Sequence, residues 1–131
     1  MKLNFITFTI ISFLLVSCDP AQTIELNSQL ESNSLVKFYF NGHKHFKFDE
    51  FVTEDSLILE LGPNKNKVFD FGIGTWEIHH SLDTLTSCID KIEITSEKST
   101  QLFVTTSQVR SFFEDRLIDD RYKARIIIDI N

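Results

Sequence analysis

From Leu35 onward, apolar and polar residues alternate with a period of two, in short segments that recur roughly every ten residues. That period sends successive side chains to opposite faces of a strand, so each segment can bury one face and wet the other. The alternation predicts strands at Leu35–Phe40, Lys44–Phe51, Ser56–Leu61, Lys67–Phe71, Thr75–His80, Ser87–Thr95, Gln101–Thr106 and Tyr122–Ile130. Thr23-Ile24-Glu25-Leu26 is a candidate first strand, with Ile24 and Leu26 on one face. Turn signals separate the segments: Asn41-Gly42, Gly62-Pro63-Asn64, Gly72-Ile73-Gly74, Asp83-Thr84 and Ser96-Glu97-Lys98-Ser99. Such a series predicts a mainly β fold, an antiparallel β-sandwich of about 7–9 short strands.

One segment departs from the rhythm. Between Ser107 and Leu117 the apolar residues Val109, Phe112, Phe113 and Leu117 fall at i, i+3, i+4 and i+8, the spacing of one helix face. A short amphipathic helix is expected near 108–118, with Ser107 as its N-cap. In the last strand Ala124, Ile126, Ile128 and Ile130 share a face with Tyr122.

The Asn-Gly pair suggests a hairpin joining Val36–Phe40 to Lys44–Phe48. A two-residue turn would strand Phe46 and Phe48 on the wrong face. A three-residue loop, Asn41–His43, would set Phe38 opposite Phe46 and Val36 opposite Phe48, and that register is the expectation.

The first twenty residues follow a different logic. Met1-Lys2 precedes an uncharged, mostly apolar run from Leu3 to Val16, shorter than the roughly 18–20 residues needed to span a bilayer as a helix. One positive charge, an apolar core and small residues at its end form the layout of a secretory signal. Leu15-Val16-Ser17-Cys18 resembles a bacterial lipobox: an apolar residue, a variable one, a small one, then cysteine. The resemblance implies that residues 1–17 are a signal peptide removed before Cys18. It also implies that the Cys18 thiol receives a diacylglyceryl group and that its new amine is often acylated. Residues 18–22 would then be a lipidated tether and 23–131 a single domain in the bacterial cell envelope. Each buried methylene contributes about 0.8 kcal/mol, so two or three acyl chains hold where one would not.

Removal of 17 of the 131 residues takes Lys2 and no acid, leaving 114 residues with 12 basic and 19 acidic side chains, a net charge of −7. That length suits one domain with a modest core. The charge argues against nucleic acid or an anionic lipid surface as a partner and is compatible with a cationic partner. With Cys18 acylated, Cys88 lacks an intramolecular partner and is expected in the core, on one face with Ile92 and Ile94 and with Asp90 discordant.

The candidate chemistry is sparse. On the predicted strand Thr75–His80, His79 and Glu77 share one face and His80 shares the other with Trp76. His45, Glu77 and His79 would form a site only if their strands were neighbours, and neither Cys-x-x-Cys nor His-Glu-x-x-His spacing is present. Gly72-Ile73-Gly74 precedes an alternating segment, so the glycines predict a tight turn or bulge rather than a phosphate cradle. Trp76 reads most simply as a core anchor. The pairs Asp49-Glu50, Glu54-Asp55, Glu114-Asp115 and Asp119-Asp120 read as a solvated acidic rim. No catalytic residue, metal or cofactor is expected. The leading expectation is a non-enzymatic, membrane-anchored domain that binds a protein partner, as an inhibitor or immunity protein against a cationic enzyme. The competing one is a ligand or metal carrier using His45, His79 and a groove near Trp76. The strand series resembles immunoglobulin-like sandwiches only generically, since it lacks their paired cysteines.

Overall fold

A computed structural model describes residues 19–42, 48, 52–118 and 124–131. The described elements run β1 (Ala21–Ser28), β2 (Ser34–Phe40), β3 (Ser56–Leu61), β4 (Asn66–Ile73), α1 (Ser81–Ser87), β5 (Ile89–Thr95), β6 (Thr100–Phe103), α2 (Thr106–Glu114) and β7 (Arg125–Ile130). Two sheets form a sandwich, one with strand order β4-β1-β7 and the other β3-β2-β5-β6. All pairs are antiparallel except β1 and β7, which run parallel with Ile24 beside Ile126 and Leu26 beside Ile128.

Alternation decides which face each strand buries. Ile24 and Leu26 of β1, Phe69 and Phe71 of β4 and Ile126, Ile128 and Ile130 of β7 point inward from one sheet. Val36, Phe38 and Phe40 of β2, Leu57 and Leu61 of β3 and Ile92 and Ile94 of β5 answer them in one continuous core. Phe48 bridges the two layers. Its ring stacks 6.1 Å from Phe38 and lies 5.4 and 5.1 Å from Phe69 and Phe71, edge-on to both. Edge-on and offset contacts suit the aromatic quadrupole and add to the area these rings bury.

The buried polar groups at the ends of β1 are satisfied, as burial demands. Gln22 donates to the Thr75 carbonyl at 3.0 Å, and the Ser34 hydroxyl meets that of Ser28 at 3.5 Å. On the outer face Arg125 grips Glu25 bidentately, at 2.8 and 2.9 Å. On the other sheet Glu93 sits among Lys37, Lys91 and the Tyr39 hydroxyl.

Several expectations need correction. The hairpin register fails because both edges of β2 are taken: Phe38 pairs with Leu57 and Ile92, and Val36 with Leu59 and Ile94. The expected strand Lys44–Phe51 lies outside the described residues except for Phe48. The first strand starts at Ala21, two residues before the anticipated domain boundary, because Ala21 already pairs with Ile73. The expected strands Ser87–Thr95 and Gln101–Thr106 become Ile89–Thr95 and Thr100–Phe103.

There are two described helices rather than one. Thr75–His80 is not a strand: the chain turns there and enters α1, whose Leu82 and Leu85 fall on one buried side. α2 starts at Thr106 and ends at Glu114, with Thr105 rather than Ser107 as its cap. The Thr105 hydroxyl accepts from the Gln108 amide, while the Gln108 side chain accepts from the Thr105 amide. This reciprocal capping box satisfies two amides that a helix start leaves open. α2 lies against β5 and β6 and packs on α1, where Arg110 of α2 meets Asp83 at 2.6 Å. Beyond α2, Arg116–Ile118 bridges to β7 and covers its free edge.

Two bulges explain residues that break the alternation. Register passes from Tyr39↔Lys91 to Phe40↔Ile89, skipping Asp90, so Ile89 and Ile92 both reach the core while Asp90 stays exposed. On β4 an extra residue lies between the pairs Thr23↔Asp70 and Ala21↔Ile73. There Gly72 takes φ of +89° and its amide donates to the Asp70 carboxylate at 2.7 Å. That is the bulge expected at the Gly-x-Gly.

Candidate functional site

The described residues singled out from the sequence do not converge. Trp76 is fully buried, its indole N–H donating to the Thr23 carbonyl at 3.1 Å and its ring edge-on to Phe71 at 5.3 Å. It anchors the core, with its side chain out of contact with solvent. Glu77, His79 and His80 are exposed on the turn into α1, and His80 occupies the N-cap position without a side-chain bond. His43 and His45 lie outside the described residues, as does Cys18. Among the described residues no three His, Cys, Asp or Glu side chains cluster closely enough to hold a metal ion. Cys88 is buried, its thiol 3.1 Å from the Thr84 carbonyl.

The hollow that the fold does build lies elsewhere. Strand directions place three connections at one end of the sandwich: Gln29–Asn33 after β1, Gly62–Lys65 after β3 and Ser96–Ser99 after β5. Backbone bonds tie the first two together and to the end of β7. Ser28 N donates to the Lys65 carbonyl at 2.8 Å, Asn64 N to that of Leu30 at 3.1 Å and Gln29 N to that of Ile130 at 3.0 Å. Ser96 and Ser99 close their own turn, with Ser96 N on the Ser99 carbonyl at 2.8 Å.

Between the first and third connections lies a cleft of about 550 Å³, lined by Leu30, Glu31, Ser96, Glu97 and Lys98 among others. It continues into a hollow of about 440 Å³ toward Asn33 and Glu60, sharing Ser96 and Glu97. Glu60 is held by the Asn33 amide at 2.9 Å. Glu31, Glu97 and Lys98 are exposed, and among the described residues no hydrogen bond or ion pair engages their side chains. The charged groups on the outer sheet faces, by contrast, largely satisfy one another.

Three carboxylates against one ammonium make the lining of the two hollows acidic, with Lys65 on the neighbouring connection, and their walls combine the half-buried Leu30 and Leu35 with serine hydroxyls. Such a surface can receive a cationic, partly apolar protrusion. Sequence reading missed it because loops adjacent in space lie more than sixty residues apart in the chain. The turn residues were legible, but their meeting was not.

At the opposite end the chain enters β1 directly. Pro20 is fixed by its carbonyl, which accepts from Gly74 N at 3.0 Å, and only Asp19 and Pro20 separate Cys18 from the first strand. No protein-family model, curated protein or solved structure matches this chain.

Proposed function

We propose that this chain is a lipid-anchored protein of the bacterial cell envelope, held through Cys18, whose β-sandwich binds a protein partner at the end away from the membrane. The reading rests on one observation above others: the acidic cleft between Gln29–Asn33 and Ser96–Ser99 carries unengaged charge at the far end of β1 from Cys18. Eight residues of strand separate the two ends by about 26 Å. Partner and bilayer then meet opposite poles of the domain, so neither obstructs the other.

The acidic lining and the overall excess of acid select for a cationic surface and speed encounter with one. A basic enzyme of the envelope, held and inhibited at the membrane, is the partner this chemistry fits. Catalysis is not part of the proposal. The alternative of a ligand or metal carrier loses Trp76 as a contact, since that side chain is buried.

Capture with the full-length acylated protein in detergent tests the idea. Recovery of one basic enzyme whose activity falls on addition supports it. The Glu31→Lys/Glu97→Lys variant should then lose at least roughly tenfold in affinity, with the loss shrinking at high salt. Unchanged capture by that variant, or no specific partner, would remove the cleft from consideration.

A further inference from the structure

We infer that Ile73 is a second point of membrane contact, seating the pole of the domain next to Cys18 on the headgroup region of the bilayer. The inference rests on the lipid-anchor reading. Ile73 is 77% exposed, more than any other large apolar residue among those described. It is carried at the tip of β4 between Gly72 and Gly74, on the bulge described above. Ile58, Val68, Leu102 and Val104 are exposed as well; what sets Ile73 apart is its place beside the start of β1, next to Cys18 in the chain.

The geometry is a matter of chain reach. Cys18 stands three residues before Ala21, so their Cα atoms lie within about 11 Å of each other. Ala21 is the cross-strand partner of Ile73, and paired Cα atoms of an antiparallel ladder stand about 5 Å apart. The Gly74–Pro20 bond pins the entering chain against the same bulge. An acyl anchor on Cys18 therefore holds Ile73 within about 16 Å of the modified residue, and the headgroup layer itself is about 5–7 Å deep on each side. Asp70, the carboxylate nearest in β4, turns to the Gly72 amide at 2.7 Å. The acyl chains supply the attachment, and Ile73 supplies orientation by stopping the domain from swivelling about a two-residue link.

The test uses the full-length acylated protein in phosphatidylethanolamine–phosphatidylcholine vesicles, with Ile73→Cys carrying an environment-sensitive fluorophore. Lys98→Cys, at the other pole, carries the same label as a reference. Cys88 is 5% exposed and is not labelled in the folded state. Mass spectrometry of the same sample reports the state of Cys18. With Cys18 acylated, the label at position 73 should emit at shorter wavelength and be quenched by lipids bearing a quencher near the headgroup, while the label at 98 is not. Equal, water-like emission from both positions on an acylated protein overturns the membrane contact and leaves the anchor standing. An unmodified Cys18 overturns both.

Discussion

Two side chains carry more of this core than their size suggests. Phe48 is the ring through which the sheets touch: it meets Phe38 and Phe40 of β2 on one side and Phe69 and Phe71 of β4 on the other. Truncating it to alanine opens a cavity between layers that cannot collapse without changing their spacing, and should cost about 3–5 kcal/mol. For a domain whose whole stability is of order 5–15 kcal/mol, that is a large fraction. Urea unfolding followed by far-ultraviolet circular dichroism would read it as a lowered midpoint with an unchanged slope. Trp76 couples packing to a polar bond, since its N–H satisfies the Thr23 carbonyl inside the sheet. Trp76→Phe keeps an aromatic ring but leaves that carbonyl short of a donor, and the same measurement should show a smaller loss, about 1–3 kcal/mol. Arg116 is a milder case. Burial lowers its pKa, opposed by Asp115 and Asp129, while its guanidinium donates to the Phe112 carbonyl and lies 4.2 Å over that ring.

The individual elements show where local rules held and where they did not. For α2 the apolar spacing of Val109, Phe112 and Phe113 holds, but the helix starts two residues before the expected 108 and ends four before the expected 118, with Leu117 in the bridge to β7. Ser107 has the right chemistry for a cap, as does Thr105, and only the backbone conformation separates them: Thr105 is extended, with φ of −103° and ψ of 152°. Thr105→Ala should therefore cost about 1 kcal/mol, while Ser107→Ala stays within about 0.5 kcal/mol. Equal losses in thermal unfolding would reassign the cap. The bulge on β4 offers a second check. A Cβ at Gly72 would meet nothing within 4 Å, so Gly72→Ala adds no clash. Its φ of +89° is nonetheless one that an L residue resists, and the substitution should cost about 1–2 kcal/mol through the backbone alone. α1 was missed because Ser81-Leu82-Asp83-Thr84-Leu85-Thr86-Ser87 is short and rich in residues with weak helix propensity. Packing of Leu82 and Leu85 into the core supplies what propensity lacks.

For the molecule as a whole, the parallel pairing of β1 with β7 joins Thr23 to Arg125 across nearly the full length of the described chain. Closing so long a loop before any reward arrives predicts folding in milliseconds to seconds, measurable by stopped-flow dilution from urea. The same pairing brings the chain's last residues alongside the first loop, where the Ile130 carbonyl takes the Gln29 amide. The acidic cleft stands beside that junction, so the Glu31→Lys/Glu97→Lys variant must be shown to fold. Both side chains are exposed and unengaged among the described residues, and its unfolding midpoint should match the parent within about 0.5 kcal/mol. Lost binding with kept stability would locate the defect in the cleft.

The alternation of apolar and polar residues was enough to indicate a β-sandwich, because a half-buried strand cannot hide a period of two. The inward face of Ile126, Ile128 and Ile130 and the bulge at Gly72 followed from the same logic applied locally, whereas Trp76 and Cys88 are buried from a turn and a helix end rather than from the strands expected to carry them. Pairing is another matter. Which strand lies beside β2 depends on hydrogen bonds between segments far apart in sequence, and Asn41-Gly42 proposed a neighbour that β3 and β5 displace. The hollow at the loop end is likewise an outcome of assembly. Gln29–Asn33 and Ser96–Ser99 contain only common turn residues, and they form a cleft because two sheets close over one core and bring those turns to the same pole.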